Sequence, residues 1–194
     1  ERYNVRNINL SQVVPDDISL LLMNGVEDSL SLDEKQNLET FTNRGGNLLL
    51  NQNRVKTDLQ TQQASPIISD IFILLESYGV SIAPNLVMDQ NCGKVNVQQN
   101  LGFLRIPVPM DYPFLPIIKK FDKEEVTVSG LESLELIFTS EIKSDSVYSN
   151  NLVEFIPLLY TSNNSSTMSE FYNLNPDPKT NPVFSQLNQP SKVV

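Results

Sequence analysis

The chain has 194 residues and a formal charge of −9, from 23 acidic against 14 basic side chains, and it contains no histidine and a single cysteine. This length can bury a full hydrophobic core as one domain without disulfides. The charge argues against nucleic-acid and acidic-lipid partners, which need Lys and Arg to displace counterions. The missing histidines exclude Ser-His, Cys-His and His-metal chemistry.

YNVRNINL at 3–10 mixes β-branched and polar residues and reads as a strand near a sheet edge. After the VVPDD turn, ISLLLM at 18–23 is a continuous apolar run ended by Asn24-Gly25, the pattern of a parallel strand covered on both faces. In SLDEKQNLETFTNRGGNLLL, Ser31 and Glu34 form a capping box that starts a helix with Leu38 and Phe41 inward. Gly45 takes the left-handed position that closes it, and NLLL at 47–50 follows as a second buried strand. A phosphate loop needs its glycines after a strand and before a helix. Here the order is reversed, so Gly45-Gly46 is a hinge and not an anion cradle.

Ser65 and Pro66 read as N-cap and first residue of a second helix carrying Ile67, Ile68, Ile71, Leu74, Leu75 and Tyr78 to Gly79. Short strands are expected at 80–82 and 86–88. KVNVQ and GFLRIPV, separated by Gln99-Asn100-Leu101, predict a β-hairpin that leaves the main sheet, its end kept off any central position by Pro107 and Pro109. PFLPIIKKF at 113–121 reads as an irregular helical turn, and LELIFTS and LVEFIPLLYTS as two further strands. From Asn163 the chain is rich in Asn, Ser and Pro and reads as a long irregular arm. The expected organisation is an α/β domain over 1–161, with 162–194 an arm of the same domain. There is no apolar run long enough to span a bilayer. A start at Glu1 without methionine reads as a piece of something longer.

In an open α/β sheet ligands gather beyond the carboxyl ends of the strands. Asn24, Asn51, Gln52, Asn53 and Arg54 fall there and form the candidate polar site, with Arg54 as the charged donor. Solvated loop residues are the commoner meaning of such a cluster. Asp16-Asp17 and Glu124-Glu125 lack the spacing of a metal loop. Cys92 has no imidazole to activate it and reads as structural. No cofactor, metal site or catalytic residue is expected.

The order YNVRNINL, VPDDISLLLMNG, SLDEKQNLETFTNRGGNLLL, ESYGVSIAPNLVMD, PVPMDYPFLPIIKKF and PLLYTS resembles the auxiliary component of ABC-type transport systems related to gliding-motility (GldG-like) transporters. The resemblance implies a Rossmann-like, flavodoxin-like layered fold akin to class I glutamine amidotransferases, with a mainly parallel sheet missing its first strand and helix. It also implies an extracytoplasmic, membrane-anchored domain with no catalytic activity, associated with a permease and an ATPase. The related amidotransferases would place a nucleophile after NLLL, where this chain has Asn51-Gln52-Asn53. The leading expectation is a non-catalytic protein-binding module. A polymer- or carbohydrate-binding adhesive module is the alternative, weakened by the absence of Trp, and a carboxylate-based hydrolase comes last.

Overall fold

The structure is a computed structural model and describes residues 4–144 and 153–194, without the side chains of residues 100 and 101. It divides into two compact units. Unit 1 comprises Glu1–Gln52 and Ile68–Leu74; unit 2 comprises Asn53–Ile67 and Leu75–Val194.

Among its described residues unit 1 contains one β-α-β element: β1 (Leu20–Asn24), α1 (Leu32–Asn43) and β2 (Asn47–Asn51). The two strands are parallel, in register from Leu20↔Asn47 to Asn24↔Asn51. The capping box forms as expected: the Ser31 hydroxyl accepts from the Glu34 N–H, and the Glu34 carboxylate accepts from the Ser31 N–H at 2.8 Å. Leu38 and Phe41 are buried. Gly45 has φ +90, the left-handed residue after the C-cap Arg44.

Unit 2 is built from short antiparallel ladders. β3 (Val55–Asp58) pairs with β4 (Gln63–Pro66). The helix α2 spans Ile71–Ser77, its residues 71–74 belonging to unit 1 and 75–77 to unit 2, and after it come β5 (Val80–Ile82) and β6 (Asn85–Asp89). A long hairpin follows, made of β7 (Cys92–Leu101) and β8 (Leu104–Ile118). Among the described residues the remaining strands are β9 (Lys120–Phe121), β10 (Leu134–Glu135), β11 (Ile142–Ser144), β12 (Leu159–Tyr160) and β13 (Ser165–Ser169). These close pairs across long sequence separations, namely β10 with β8, β11 with β5, β12 with β9 and β13 with β6.

β6 is the interior strand of unit 2. Its alternating side chains face two cores: Leu86 and Met88 pack with Tyr112, Phe114, Phe138, Met168, Tyr172 and Leu174, and Val87 with Ile118 and Val194. In the first core Tyr112 meets Phe114, Phe138 and Phe184 edge-on, with ring centroids 5.4 to 6.2 Å apart. The Tyr112 hydroxyl donates to the Leu174 carbonyl at 2.7 Å.

The expected Rossmann-like, flavodoxin-like layered sheet is not formed. Among the described residues β1–β2 is the only parallel pair, and the other ladders are antiparallel. The apolar run at 18–23 suggested a strand covered on both faces, yet Leu20, Leu22 and Leu49 on one face of the β1–β2 pair are exposed. A run of leucines reports hydrophobicity, and only the neighbours that tertiary structure supplies decide how much of it is covered.

Several local readings also change. Ser65 and Pro66 lie in β4, and the helix starts at Ile71, whose N–H is accepted by the Ser69 hydroxyl. PFLPII is not a helical turn but the end of β8, where Leu134 and Glu135 pair with Ile118 and Ile117. The strands expected over 3–10 and 134–140 reduce to no strand at residues 4–10 and to Leu134–Glu135. The one expected over 152–162 is ordered as a strand at Leu159–Tyr160. Tyr3 and Leu152, within those expectations, lie outside the described residues. Residues 165–169 of the expected arm form β13, and Tyr172 and Leu174 beyond it are buried in the core.

Candidate functional site

The candidate polar residues are divided between the two units, and within each unit their side chains bond to the protein itself. In unit 1 the Asn51 side-chain amide donates to the Asn24 side-chain oxygen at 2.8 Å, across the last rung of the parallel pair. Gln52 extends that pairing with its side chain, accepting from the Val26 N–H at 2.7 Å and donating to the Val26 carbonyl at 2.9 Å. These amides continue a sheet beyond its backbone, which is the role of side chains that mimic a strand. In unit 2 Arg54 donates to the Ile82 carbonyl at 2.6 Å and stands 3.7 Å from Glu76. Its own N–H is accepted by the Ser140 hydroxyl, which in turn donates to the Asn85 carbonyl at 2.9 Å. The Arg54 guanidinium therefore ties the residue before β3 to the end of β5, while its backbone N–H reaches the start of β6 through Ser140. Asn53 is half-buried beside it in sequence.

Two carboxylates of unit 2, Asp89 and Glu141, are engaged in the same way. Asp89 is fully buried at the end of β6, where its two oxygens accept from the Asn91 N–H, the Ser162 N–H and the Ser162 hydroxyl at 2.5 to 2.8 Å. Three donors hold that carboxylate and fasten the 162 loop. Glu141 accepts from the Asn85 amide and pairs with Lys143 at 3.2 Å and Lys192 at 3.9 Å.

One depression of about 340 Å³ opens at the root of the hairpin, lined by Gln90, Cys92, Met110, Asp111, Phe184 and Leu187 among others. Sequence reading missed it, because Phe184 and Leu187 arrive from a distant segment with no local signal. Burial, and after it the Asp111 carboxylate, push the Cys92 thiol above the usual cysteine range. A thiol held protonated is a poor nucleophile.

Gly45-Gly46, the other feature singled out in the sequence, is a packing joint. Gly45 supplies the positive φ, and Gly46 lies against the Phe41 ring, where an added Cβ would come within 2.4 Å of Cζ.

A family model described as an ABC-type uncharacterized transport system matches residues 1–194. The search of curated proteins found no match. Among solved structures the chain is similar to one titled mmIFT52 N-terminal domain, at 12% identity and a TM-score of 0.50, covering 81% of this chain and 58% of that one. The chain thus spans a little over half the length of that structure, and at such identity the likeness concerns the fold alone. The sequence order that suggested a transport auxiliary protein and the match across every residue agree: the chain belongs to the family of auxiliary components of ABC-type transport systems.

Proposed function

We propose that this chain is a non-catalytic, extracytoplasmic domain of a membrane-anchored transport auxiliary protein, and that it binds other proteins, the permease and ATPase of its transport system among them. The match over residues 1–194 carries the proposal. Two features of the structure support it. The polar residues best placed for a ligand are bonded into the framework: Asn24 with Asn51, Gln52 with Val26, and Arg54 with Ile82. Unit 1 also presents Leu20, Leu22 and Leu49 to solvent on one face of its parallel pair, and an apolar sheet face of that kind suits a protein partner better than a small polar substrate. A role in gliding motility remains part of the proposal through the sequence resemblance.

Among the described residues no helix is long and apolar enough to cross a membrane, so the anchoring proposed here does not use α1 or α2. The test is affinity purification of the full-length protein from native membranes after crosslinking. Recovery of an ABC permease and ATPase is expected, with protease accessibility of this domain from the outer face of intact spheroplasts. Recovery of neither subunit, or protection of the domain, would overturn the assignment.

A further inference from the structure

The β7–β8 hairpin has no part in the proposed function, and its distal half projects from unit 2. From Asn96 to Pro109 its described side chains are exposed or half-buried, whichever face they occupy. The register places Val95 opposite Met110 and Val97 opposite Val108, so an apolar stripe runs along one face, with Leu104 and Ile106 continuing it toward the turn. Gly102, at φ +66, and Phe103 make the two-residue turn, with glycine first as a type II′ turn requires. Phe103 is 96% exposed, Leu104 56% and Ile106 39%.

Charge on this hairpin differs from the rest of the chain. The protein carries −9, yet no acidic residue occurs from Gln90 to Met110. Lys94 is paired with Asp111 at 3.3 Å near the root. Arg105 is then the sole charge of the distal half, two residues from the aromatic tip.

We propose that the hairpin tip inserts into the interfacial region of a lipid bilayer, with Phe103 and Leu104 at the acyl boundary and Arg105 at the phosphate layer. Arg105 lies about 7 Å along the strand from Phe103, which matches the depth of about 5–10 Å that interfacial apolar groups reach. Its stem reaches along the ribbon while the guanidinium stays among headgroups. From Lys94 to the turn the ribbon spans about 23 Å, more than two Debye lengths at physiological salt, so the acidic body does not repel the tip's target. A second copy of the chain is disfavoured as occupant, because two such tips would meet with like charge. Edge pairing along β8 is blocked as well: Pro107 and Pro109 lack N–H donors, so in the ladder with β7 their nitrogens must point to the outer edge.

The sequence has no tryptophan, so Phe103→Trp makes a single-site reporter. The variant chain is tethered through an N-terminal histidine tag to vesicles of phosphatidylcholine with and without phosphatidylglycerol, each containing a nickel-chelating lipid. A blue shift of the indole emission and its quenching by brominated acyl chains are expected. Adding Arg105→Glu should weaken the partition on phosphatidylglycerol vesicles roughly tenfold or more. Val126→Trp, an exposed site of the same unit, is the control and should stay unquenched. Leu104→Trp serves as a second reporter if circular dichroism shows the first variant misfolded. Solvent-like emission at both tip positions would overturn the proposal and leave the tip to a protein groove. Equal quenching at 103 and 126 would also overturn it. Because the vesicles contain no permease or ATPase, this result stands apart from the partner assignment.

Discussion

Gly46 sits against the end of the Phe41 ring, so close that a methyl group at residue 46 would overlap three of its carbons at 2.4 to 2.6 Å. Phe41 is itself buried, at 1% exposure, and cannot swing away without opening unit 1. The two glycines therefore differ in kind. Gly45→Ala meets open space and is expected to cost about 1 kcal/mol for its positive φ. Gly46→Ala should cost about 1–3 kcal/mol through overpacking. Urea unfolding of the two variants checks the order, and a smaller loss at 46 than at 45 would refute the packing account.

The capping box predicts a second local effect. Ser31→Ala removes the acceptor for the Glu34 N–H and should destabilise the protein by about 1 kcal/mol. Ser31→Asp, which keeps an oxygen at the cap, should recover most of the loss. Thermal unfolding of the pair distinguishes a cap from a merely tolerated surface serine.

Acid should loosen unit 1 through Asp70. Its carboxylate accepts from the Leu30 N–H at 2.8 Å and pairs closely with Lys35, and these hold its pKa below the ordinary aspartate value, the Lys35 contact contributing most. A depressed folded pKa gives stability that is complete above the unfolded value near 3.8 and is lost as pH falls through the lower, folded one. Asp70→Asn should therefore flatten the acid limb of the stability profile below about pH 4. An unchanged slope in denaturant melts across that range would remove Asp70 from the explanation.

Tyr112 gives the opposite limb. Burial pushes its phenol up to about 12, and its hydroxyl holds the Leu174 carbonyl. With the folded pKa above the unfolded value near 10, this contribution is complete below pH 10 and is lost as pH rises toward 12. Tyr172 is also pushed up by burial, so spectrophotometric titration should show late-ionising phenols, and Tyr112→Phe should remove the part of that phase nearest pH 12. The same variant leaves a buried carbonyl unpaired and should cost about 1–3 kcal/mol.

Arg54 offers the direct check on the candidate site. If the guanidinium ties the start of β3 to the end of β5, Arg54→Ala should lower stability by about 1.5–3 kcal/mol, the range for hydrogen bonds to a charged group. Asn24→Ala, at an exposed pair, should change it by less than about 0.5 kcal/mol. A stability-neutral Arg54→Ala would restore the reading of Arg54 as a ligand donor.

Much of the local structure was legible because its causes are local. The Ser31-Glu34 box, the stop at Gly45, the strands at 80–82 and 86–88 and the presence of a hairpin after Lys94 all follow from residues within a few positions of one another, although the turn, expected at Gln99-Asn100-Leu101, falls at Gly102-Phe103. The readings that failed share one feature. Ser65-Pro66 has the chemistry of a helix start, but Lys56 and Val55 pair with it and draw it into β4. Phe114 to Ile118 has helical spacing interrupted by Pro116, yet Leu134 and Glu135 align against it as strand. Cross-strand partners from outside the local window outweigh propensity, since β preference measures fit to neighbours more than a tendency of the backbone.

The sequence by itself determined the family, the absence of imidazole chemistry and the hinge character of Gly45-Gly46, since each depends on which residues are present and in what order. Only the tertiary structure decided the sheet. Asp89 pairing with Ser165 and Met88 with Ser166 make β6 an antiparallel interior strand, and no periodicity in either segment announces the other. It also decided that Arg54 is bonded inward, because a side chain's availability depends on the acceptors that distant backbone brings to it.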